Sequence, residues 1–339
     1  MAHQVPNGDW SLPTLDDVAR VAGVSRATVS RVVNGGQLVS TATCDAVNRA
    51  IAELGYRPNR AARALVTRRA GAVAVVVPET DDRVFNDPFF PQAYHGALTA
   101  FGSVDVQVLL AMAPPGESAS RMTRYLDSGH VDGAIVLSHH GPELARRLQN
   151  SAHPVVFVGD PEVPGLPYVE LDQRAAAITA TRHLITTGAE RIATITGPMD
   201  MNAGAVRRYG FEVAMAEAGL TPAGFAEGDF TIRGGEQAAR QLVQEAPDLD
   251  ALFVASDLMA LGALRALRRA GRRVPEDVKV VGFDNSSAAL QASPQLTTMT
   301  NPASELARIA GEMLLGLLSG VAPTSPVILT SELVVRNSA

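Results

Sequence analysis

From Ala72 onward, short runs of β-branched and other apolar residues alternate with helical stretches. We predict strands at residues 72–78, 106–111, 133–138, 154–159, 191–196, 251–256 and 278–283. Strands that alternate with helices are typical of parallel sheets covered by helices on both faces. There are more of these strand–helix units than one open sheet holds comfortably, and the pattern divides near Leu171. The sequence therefore predicts an α/β core of two parallel-sheet lobes, with a crevice between the carboxyl ends of their strands.

The length and composition fit a chain of several domains. With 339 residues, 46% of them hydrophobic, it suits two or three domains with a sizeable core. No apolar run reaches about 18 residues, so we expect no membrane-spanning helix. The first residues lack the apolar segment of a signal peptide, which predicts a cytoplasmic protein. A single cysteine, Cys44, excludes an internal disulfide and any multi-cysteine metal site.

The charges are divided unevenly along the chain. Residues 1–70 hold nine Arg, no Lys and five acidic residues, a net charge of about +4, whereas the remainder carries about −10. A basic head on an acidic body predicts that the head meets a polyanion and the body does not.

Residues 14–57 predict three short helices. Thr14 caps the first helix, which ends at Gly23, and Ser25 and Ser40 cap the second and third. The tight Gly-Val-Ser turn between the first two helices gives the spacing of a helix-turn-helix.

The second of these helices presents a narrow polar face. At about 100° per residue, Val29, Val32 and Val33 turn inward, and the opposite side consists of Ala27, Ser30, Arg31 and Asn34. Arg26 stands in the first turn, the end that leads into the major groove in helix-turn-helix proteins. Arg31 suits paired hydrogen bonds to a guanine edge, and Thr28 and Ser30 suit phosphate oxygens. The alternative is a solvated helix face in a protein-binding module.

A second basic element follows the three helices. Asn59 caps a helix of about seven residues, which is too short to be stable alone in water. It offers one large apolar residue, Leu65, among arginines that include Arg63. Folding against a dimer partner and DNA would place Leu65 between base steps of the minor groove, with arginines on nearby phosphates. Packing of Leu65 on the body is the alternative.

The run TLDDVARVAGVSRATVSRVVN, followed by VSTATCDAVNRAIAELGYRPNRAARALVT, resembles the lactose/galactose repressor family of bacterial transcription regulators. The resemblance covers Thr14 to about Val335. It implies a homodimer whose heads read a pseudo-palindromic operator, hinge helices that meet at its centre, and a core of the type I periplasmic-binding-protein fold. Arg26, Ala27 and Arg31 match the family's base-reading positions. Since some members carry a long polar side chain where this chain has Ala27, specificity should rest more on Arg26.

The resulting fold class is an all-α helix-turn-helix head plus a type I periplasmic-binding-protein-like α/β core. We expect a disordered tail over residues 1–13, the head over 14–58, a hinge helix and linker over 59–69, and an effector-binding and dimerisation domain over 70–339. The predicted DNA contacts are Thr14, Ser25, Arg26, Ala27, Thr28, Ser30, Arg31, Asn34, Asn59, Arg63 and Leu65.

Several predicted strands end in residues suited to a ligand. Candidates from the residues alone are Phe89 and Phe90 as an apolar wall, and Ser138 and His139, the latter as a donor to a ligand hydroxyl. The resemblance adds Arg207 as the effector-binding arginine, Phe230 as a sugar-stacking ring, Asp284 as a hydroxyl acceptor, and Ser256 and Asp257 where many members have Asn-Asp. The alternatives are an Arg207–Asp284 salt bridge, a core position for Phe230, and exposed loop positions for His139 and His140.

This set of residues predicts a neutral ligand. An arginine, two aspartates and aromatic rings suit a polyhydroxylated molecule, whereas a phosphorylated ligand calls for more cations. We therefore expect a sugar, and a disaccharide or short oligosaccharide in particular. The runs GPMDMNAG and VFNDPFF are similar to those of cellobiose- or xylobiose-responsive members.

An enzyme is the rival class. GxxxxGK[ST], GxGxxG after the first strand, GxSxG and HExxH are all missing from the sequence, and we predict no enzyme, cofactor or metal site. A core that responds to a partner protein, or to a non-sugar metabolite such as a purine, is the second alternative. The expected mechanism is a dimeric repressor in which the sugar closes the cleft and separates the hinge helices.

Overall fold

A computed structural model describes residues 13–33, 39–57, 69–113 and 118–339. These residues fall into two compact units that divide between Ala70 and Gly71. None of the helices formed by the described residues is long and apolar enough to cross a membrane.

The described residues of the first unit form three helices, α1 (Leu15–Ala22), α2 (Arg26–Val33) and α3 (Thr41–Leu54). Thr14 and Asp17 form a reciprocal capping box at α1, and Ser25 Oγ accepts a hydrogen bond from the Thr28 amide at 3.1 Å. Gly23 ends α1 at φ 65°, a left-handed conformation that favours glycine. The predicted caps are therefore confirmed. The predicted inward side of the second helix is confirmed as well, since Val29 is buried in a small core with Val18, Val47, Ala50 and Tyr56, and Val32 and Val33 pack against it.

The second unit contains two parallel-stranded lobes. The first lobe is a sheet in the order β11-β5-β4-β3-β1-β2. Its strands are β1 (Ala72–Val77), β2 (Gln107–Met112), β3 (Gly133–Leu137), β4 (Val155–Val158), β5 (Tyr168–Leu171) and β11 (Val327–Leu329). Its helices are α4 (Asp81–Asn86), α5 (Phe89–Phe101), α6 (Ser118–Asp127), α7 (Glu143–Leu148) and α13 (Ala303–Leu318). Strand β1 pairs in parallel with both β2 and β3, because helices connect β1 to β2 and β2 to β3.

The second lobe has a sheet in the order β12-β10-β9-β8-β6-β7, parallel except for the β12–β10 pair. Its strands are β6 (Ile192–Thr196), β7 (Gly224–Glu227), β8 (Ala251–Val254), β9 (Lys279–Asp284), β10 (Thr297–Thr300) and β12 (Leu333–Val334). Its helices are α8 (Gln173–Thr186), α9 (Asn202–Glu217), α10 (Ile232–Glu245), α11 (Asp257–Arg269) and α12 (Ser287–Gln291).

The seven predicted strands all form, and the split at Leu171 is confirmed because β5 ends there and α8 opens the second lobe at Gln173. The return of the chain was not predicted. After β10 the chain crosses back to the first lobe for α13 and β11, and then crosses again for β12. Strands β5, β7, β10, β11 and β12 were missed because each is short and either contains polar residues or spans no more than three residues; β4 and β8 are as short as β5, but each is a continuous apolar run.

Candidate functional site

A cavity lies between the two lobes, at the carboxyl ends of their strands. It measures about 730 Å³ including its opening to solvent. The first lobe contributes Ser138 and His139 after β3 and Glu170 in β5, and the second contributes Arg207 from α9 and Asp284 at the end of β9. This is the position at which open parallel sheets bind ligands, because strand ends and helix starts leave polar groups there.

The guanidinium of Arg207 is held by protein groups on several sides. The side chain is only 4% exposed. Its Nε donates to Gln173 Oε1 at 2.8 Å and one terminal nitrogen donates to the carbonyl oxygen of Ala255. The guanidinium carbon lies 3.6 Å from the centre of the Phe283 ring. Arg207 therefore presents its charge to the cavity in a fixed orientation.

Three carboxyl groups face this guanidinium around the cavity, those of Asp87, Glu170 and Asp284. Burial raises the pKa of Asp87 and of Asp284. Burial, and next the charge of Asp160, raise the pKa of Glu170 to about 7. None of the ion pairs between described residues joins Arg207 to Asp284, so the predicted alternative of a salt bridge between them does not hold. Instead, Asp284 accepts a hydrogen bond from Asn301 at 3.0 Å.

The two rings that line the cavity are Phe89 and Phe230. Phe230 stands at φ 62° and is 6% exposed, so it belongs both to the wall and to the core of the second lobe. The Arg83 guanidinium of the first lobe lies 4.8 Å from the Phe230 ring centre, which reduces the ring surface open to stacking. Phe90 does not line the cavity; it is 3% exposed and packs in the core with its ring at a right angle to Phe89.

Ser256 and Asp257 also lie away from the cavity lining. Ser256 Oγ caps α11 by accepting from the Met259 amide. The Asp257 carboxylate, fully buried, accepts from Thr298 Oγ1 at 2.6 Å and from the Ser286 amide at 2.7 Å. Both residues therefore hold the second lobe together, and neither contacts the cavity where the sequence predicted an effector.

Ser138 and His139 do line the cavity, but their hydrogen bonds differ from the prediction. Ser138 Oγ donates to Glu79 Oε1 at 2.7 Å. His139 Nε2 lies 3.0 Å from the carbonyl oxygen of Asp160, so it carries the ring proton and donates there. Burial lowers the pKa of His139, and Nδ1 has no partner among the described residues. The free nitrogen is thus an acceptor, not the predicted donor. His139 is 5% exposed, so the exposed-loop alternative is wrong.

Sequence reasoning missed several polar residues of the cavity, namely Arg83, Asp87, Glu170, Gln173 and Asn301. Glu170 belongs to the short strand β5 and Asn301 follows the short strand β10, and neither strand was predicted. Asp87 lies in the NDPFF run that also contains Phe89, and an acidic side chain in that run was the available signal.

The candidate DNA-binding face lies in the first unit. On and beside α2, Ser25, Arg26, Ala27 and Arg31 are exposed, while Thr28 and Ser30 are half-buried; Thr14 is exposed at α1. Arg26 pairs with Asp16 at 3.3 Å, with both side chains about two-thirds exposed, so DNA can displace this pair at small cost. Predicted contacts at Asn34, Asn59, Arg63 and Leu65 lie outside the described residues.

Comparison with known proteins agrees with both units. A model described as "Bacterial regulatory proteins, lacI family" matches residues 14–59, and one described as "Periplasmic binding protein-like domain" matches residues 181–339. The HTH-type transcriptional regulator CelR of Thermobifida fusca is 45% identical, over 96% of this chain and 98% of that protein. The chain belongs to the lacI family of bacterial regulatory proteins. Another family member, the HTH-type transcriptional repressor CytR of Escherichia coli (strain K12), is 32% identical, over 96% of each chain.

Solved structures of the family show the same architecture. A complex of the transcriptional regulator CelR with cellobiose is 42% identical, with a TM-score of 0.75 over 96% of this chain and all of that chain. A lac repressor dimer bound to operator and the anti-inducer ONPF is 28% identical, with a TM-score of 0.88 over 96% and 98% of the two chains. The helix-turn-helix head and the type I periplasmic-binding-protein-like core predicted from the sequence are thereby confirmed, and the protein is a transcriptional regulator.

Proposed function

We propose that this protein represses transcription from a pseudo-palindromic operator and is released from it by a neutral oligosaccharide bound between the lobes. The observation that carries the proposal is the chemistry of the cavity, in which many hydrogen-bond acceptors surround one fixed guanidinium. Function in this family resides in the site, since the same core fold serves ligands of different chemistry.

The acceptors in the cavity favour a ligand rich in hydroxyl donors. The carboxyl groups of Asp87, Glu170 and Asp284 offer acceptors at the cavity lining. The two cavity cations are already engaged, Arg207 with Gln173 and Ala255, and Arg83 with Glu79. A phosphate or carboxylate would meet this acidic surface at a cost, whereas sugar hydroxyls both donate and accept. Phe89 supplies apolar surface for a sugar ring, and Phe230 adds the small part of its ring that stays exposed.

Cellobiose is the first candidate for the effector. The CelR relative that was solved with cellobiose is 42% identical over nearly the whole chain. The cavity between the lobes is lined by residues of both lobes, the kind of concave site at which small molecules bind.

On the DNA side, we assign direct base reading to Arg31 and Arg26, a methyl contact to Ala27, and phosphate contacts to Thr28 and Ser30. The exposure of Arg26, Ala27 and Arg31 supports this assignment. We further infer that the protein is a homodimer, supported by the similarity to the lac repressor dimer, with a head over residues 14–58 and a hinge helix and linker over 59–69. Pairing of the two hinge helices would couple the lobes to the heads.

The test begins with an operator selected from random pseudo-palindromic DNA. Gel shifts then measure operator affinity with cellobiose, xylobiose, cellotriose, glucose 6-phosphate or hypoxanthine present, and calorimetry measures binding of each to the protein alone. We expect a neutral oligosaccharide to bind and to weaken operator binding. Tighter operator binding would reverse the direction of the switch, and exclusive binding of hypoxanthine or the phosphosugar would refute the sugar assignment.

A further inference from the structure

His140 joins the two lobes at one edge of the effector cavity. It follows β3 in the first lobe, and its imidazole lies between two carboxylates. Nε2 is 3.1 Å from Glu79 Oε1, in the same lobe, and Nδ1 is 2.9 Å from Asp200 Oδ2, between β6 and α9 of the second lobe. His140 is 22% exposed and Glu79 only 4%, so solvent screens that pair less than a surface ion pair, whereas Asp200 is 63% exposed and its pair with His140 is screened more strongly.

Neighbouring contacts join the lobes at the same edge. The Gly141 amide donates to the carbonyl oxygen of Asp200 at 2.7 Å. Arg83, which pairs with Glu79, places a terminal nitrogen 3.7 Å from Met201 Sδ. Met201 and Arg83 both line the cavity. The cluster of Glu79, His140 and Asp200 therefore forms only while the lobes stand close together at the cavity edge.

The ring needs two protons to satisfy this geometry. A neutral imidazole has one N–H donor and one lone pair, whereas an ionised carboxylate only accepts. With carboxylates at both nitrogens, a neutral ring would set its lone pair against one of them. Glu79 is held ionised: burial opposes its charge, but bonds from His140, Arg83 and Ser138 outweigh burial and lower its pKa. The charged groups around His140 are Glu79 and Asp200, with Arg83 beyond Glu79 and neutral His139 next in the chain.

We propose that closure of the two lobes takes up a proton at His140, which makes effector binding in this cavity stronger at acid than at alkaline pH. This rests on the proposed function, because it assumes that the effector binds the closed lobes. It concerns a residue that does not itself line the cavity, so His140 acts as a positioning residue for closure.

The direction of the pH effect follows from the bridge that His140 forms between Glu79 and Asp200. The hydrogen bonds that His140 donates to Glu79 and then to Asp200, against the opposing effect of burial, raise the pKa of His140 in the closed lobes. When the lobes part, Asp200 leaves with its lobe and the pKa falls back. The bridge therefore stabilises closure fully below the pKa of the parted state, and this stabilisation is lost as pH rises through the pKa of the closed state.

Calorimetry with cellobiose at pH 6.0 and 8.5 tests the link to binding. Since Asp87, Glu170 and Asp284 also titrate within the cavity, the comparison is between the wild type and His140→Gln, which leaves their contribution in place. Between pH 6.0 and pH 8.5 the affinity of the wild type for cellobiose should fall, and the factor of this fall should be roughly five times that of the variant. This size fits a partly exposed charge-assisted hydrogen bond. His95→Gln, at an exposed histidine on α5, should behave like the wild type. An identical pH dependence in the wild type and His140→Gln would overturn the proposal.

A second measurement needs no ligand. The pKa of His140 is read from ring carbon–proton resonances of histidine-labelled protein, with the signal assigned by its loss in His140→Gln. Asp200→Asn should lower that pKa, because Asp200 approaches only across the closed cleft; an unchanged value would count against the bridge. If cellobiose binds at neither pH, the effector assignment fails, while this titration still decides whether His140 joins the lobes.

Discussion

Glu170 is a cavity residue whose charge changes near neutral pH because of its surroundings. It lies half-buried at the end of β5, where burial and Asp160 raise its pKa to about 7 and Arg207 offsets part of this rise. A carboxyl group whose pKa is raised on folding binds a proton in the folded chain that the unfolded chain has lost. Stability therefore falls as pH rises from about 4.5 to about 7.

Glu170→Gln removes this dependence. On going from pH 5 to pH 8, the free energy of unfolding of the variant should rise by roughly 1–2 kcal/mol relative to that of the wild type. This is less than the full pKa shift would give, because the side chain is partly exposed. Scanning calorimetry of both proteins at the two pH values measures this change. Glu190→Gln, at an exposed glutamate, should show no such gain, and equal changes in the two variants would refute the role of burial.

The planar shape of the Arg207 guanidinium matters for ligand binding as well as its charge. Its Nε and a terminal nitrogen are fixed by Gln173 and Ala255, and lysine has no planar fork to replace both bonds. Arg207→Lys should weaken cellobiose binding at least about tenfold, equivalent to roughly 1.4 kcal/mol. Calorimetry checks this, with Arg208→Lys as control because Arg208 pairs with Glu212 on the outer side of α9. Retained affinity in Arg207→Lys would remove Arg207 from the site.

At the scale of the element, α2 divides its surface by the helical repeat. Val29 is fully buried among the residues of the small head core, while Arg26, Ala27 and Arg31 on the other side are exposed. The core of the first unit contains few residues, so α2 has little freedom to rotate without exposing valines. The packing thereby fixes which residues reach a DNA groove.

Arg31→Ala tests the reading face of α2. Loss of a paired hydrogen bond to guanine should cost about 1–3 kcal/mol and relax specificity at one base position. Affinities for the selected operator and for its single-base variants, measured by gel shift at fixed salt, reveal both effects. Arg49→Ala on α3 is the control, since its Nε bonds to its own helix at Asp45. A uniform loss across all DNA sequences would reassign Arg31 to phosphate contact.

At the scale of the whole molecule, the chain crosses between the lobes three times, after Leu171, after β10 and after β11. Three connections restrict the lobes to changes in their mutual angle, and the cavity and the His140 cluster lie between them. An effector that prefers one angle shifts the population of that state by its difference in affinity. The lobes are thus suited to report occupancy to an attached head.

This linkage predicts distinct thermal effects on the two units. Cellobiose at 100 times its dissociation constant should stabilise the unit of residues 71–339 by about 2.7 kcal/mol and leave the melting of the head in free protein unchanged. Scanning calorimetry resolves the two transitions, and a gel shift under the same conditions should show weaker operator binding. Stabilisation without any change in operator affinity would separate sugar binding from regulation.

The sequence by itself determined the elements that depend on local pattern: the capped helices of the head, the seven strands predicted from apolar runs, the split at Leu171, and the cavity positions of Phe89, Arg207 and Asp284. Periodicity, caps and strand ends are local signals, and the family motif was specific. Only the tertiary structure decided the rest. Ser256 and Asp257 turned inward as helix cap and buried acceptor, His139 Nδ1 was left as an acceptor because Nε2–H donates to the Asp160 carbonyl oxygen, and Asp200 met His140 across the cleft. These outcomes depend on contacts between residues far apart in the chain, which no local pattern encodes.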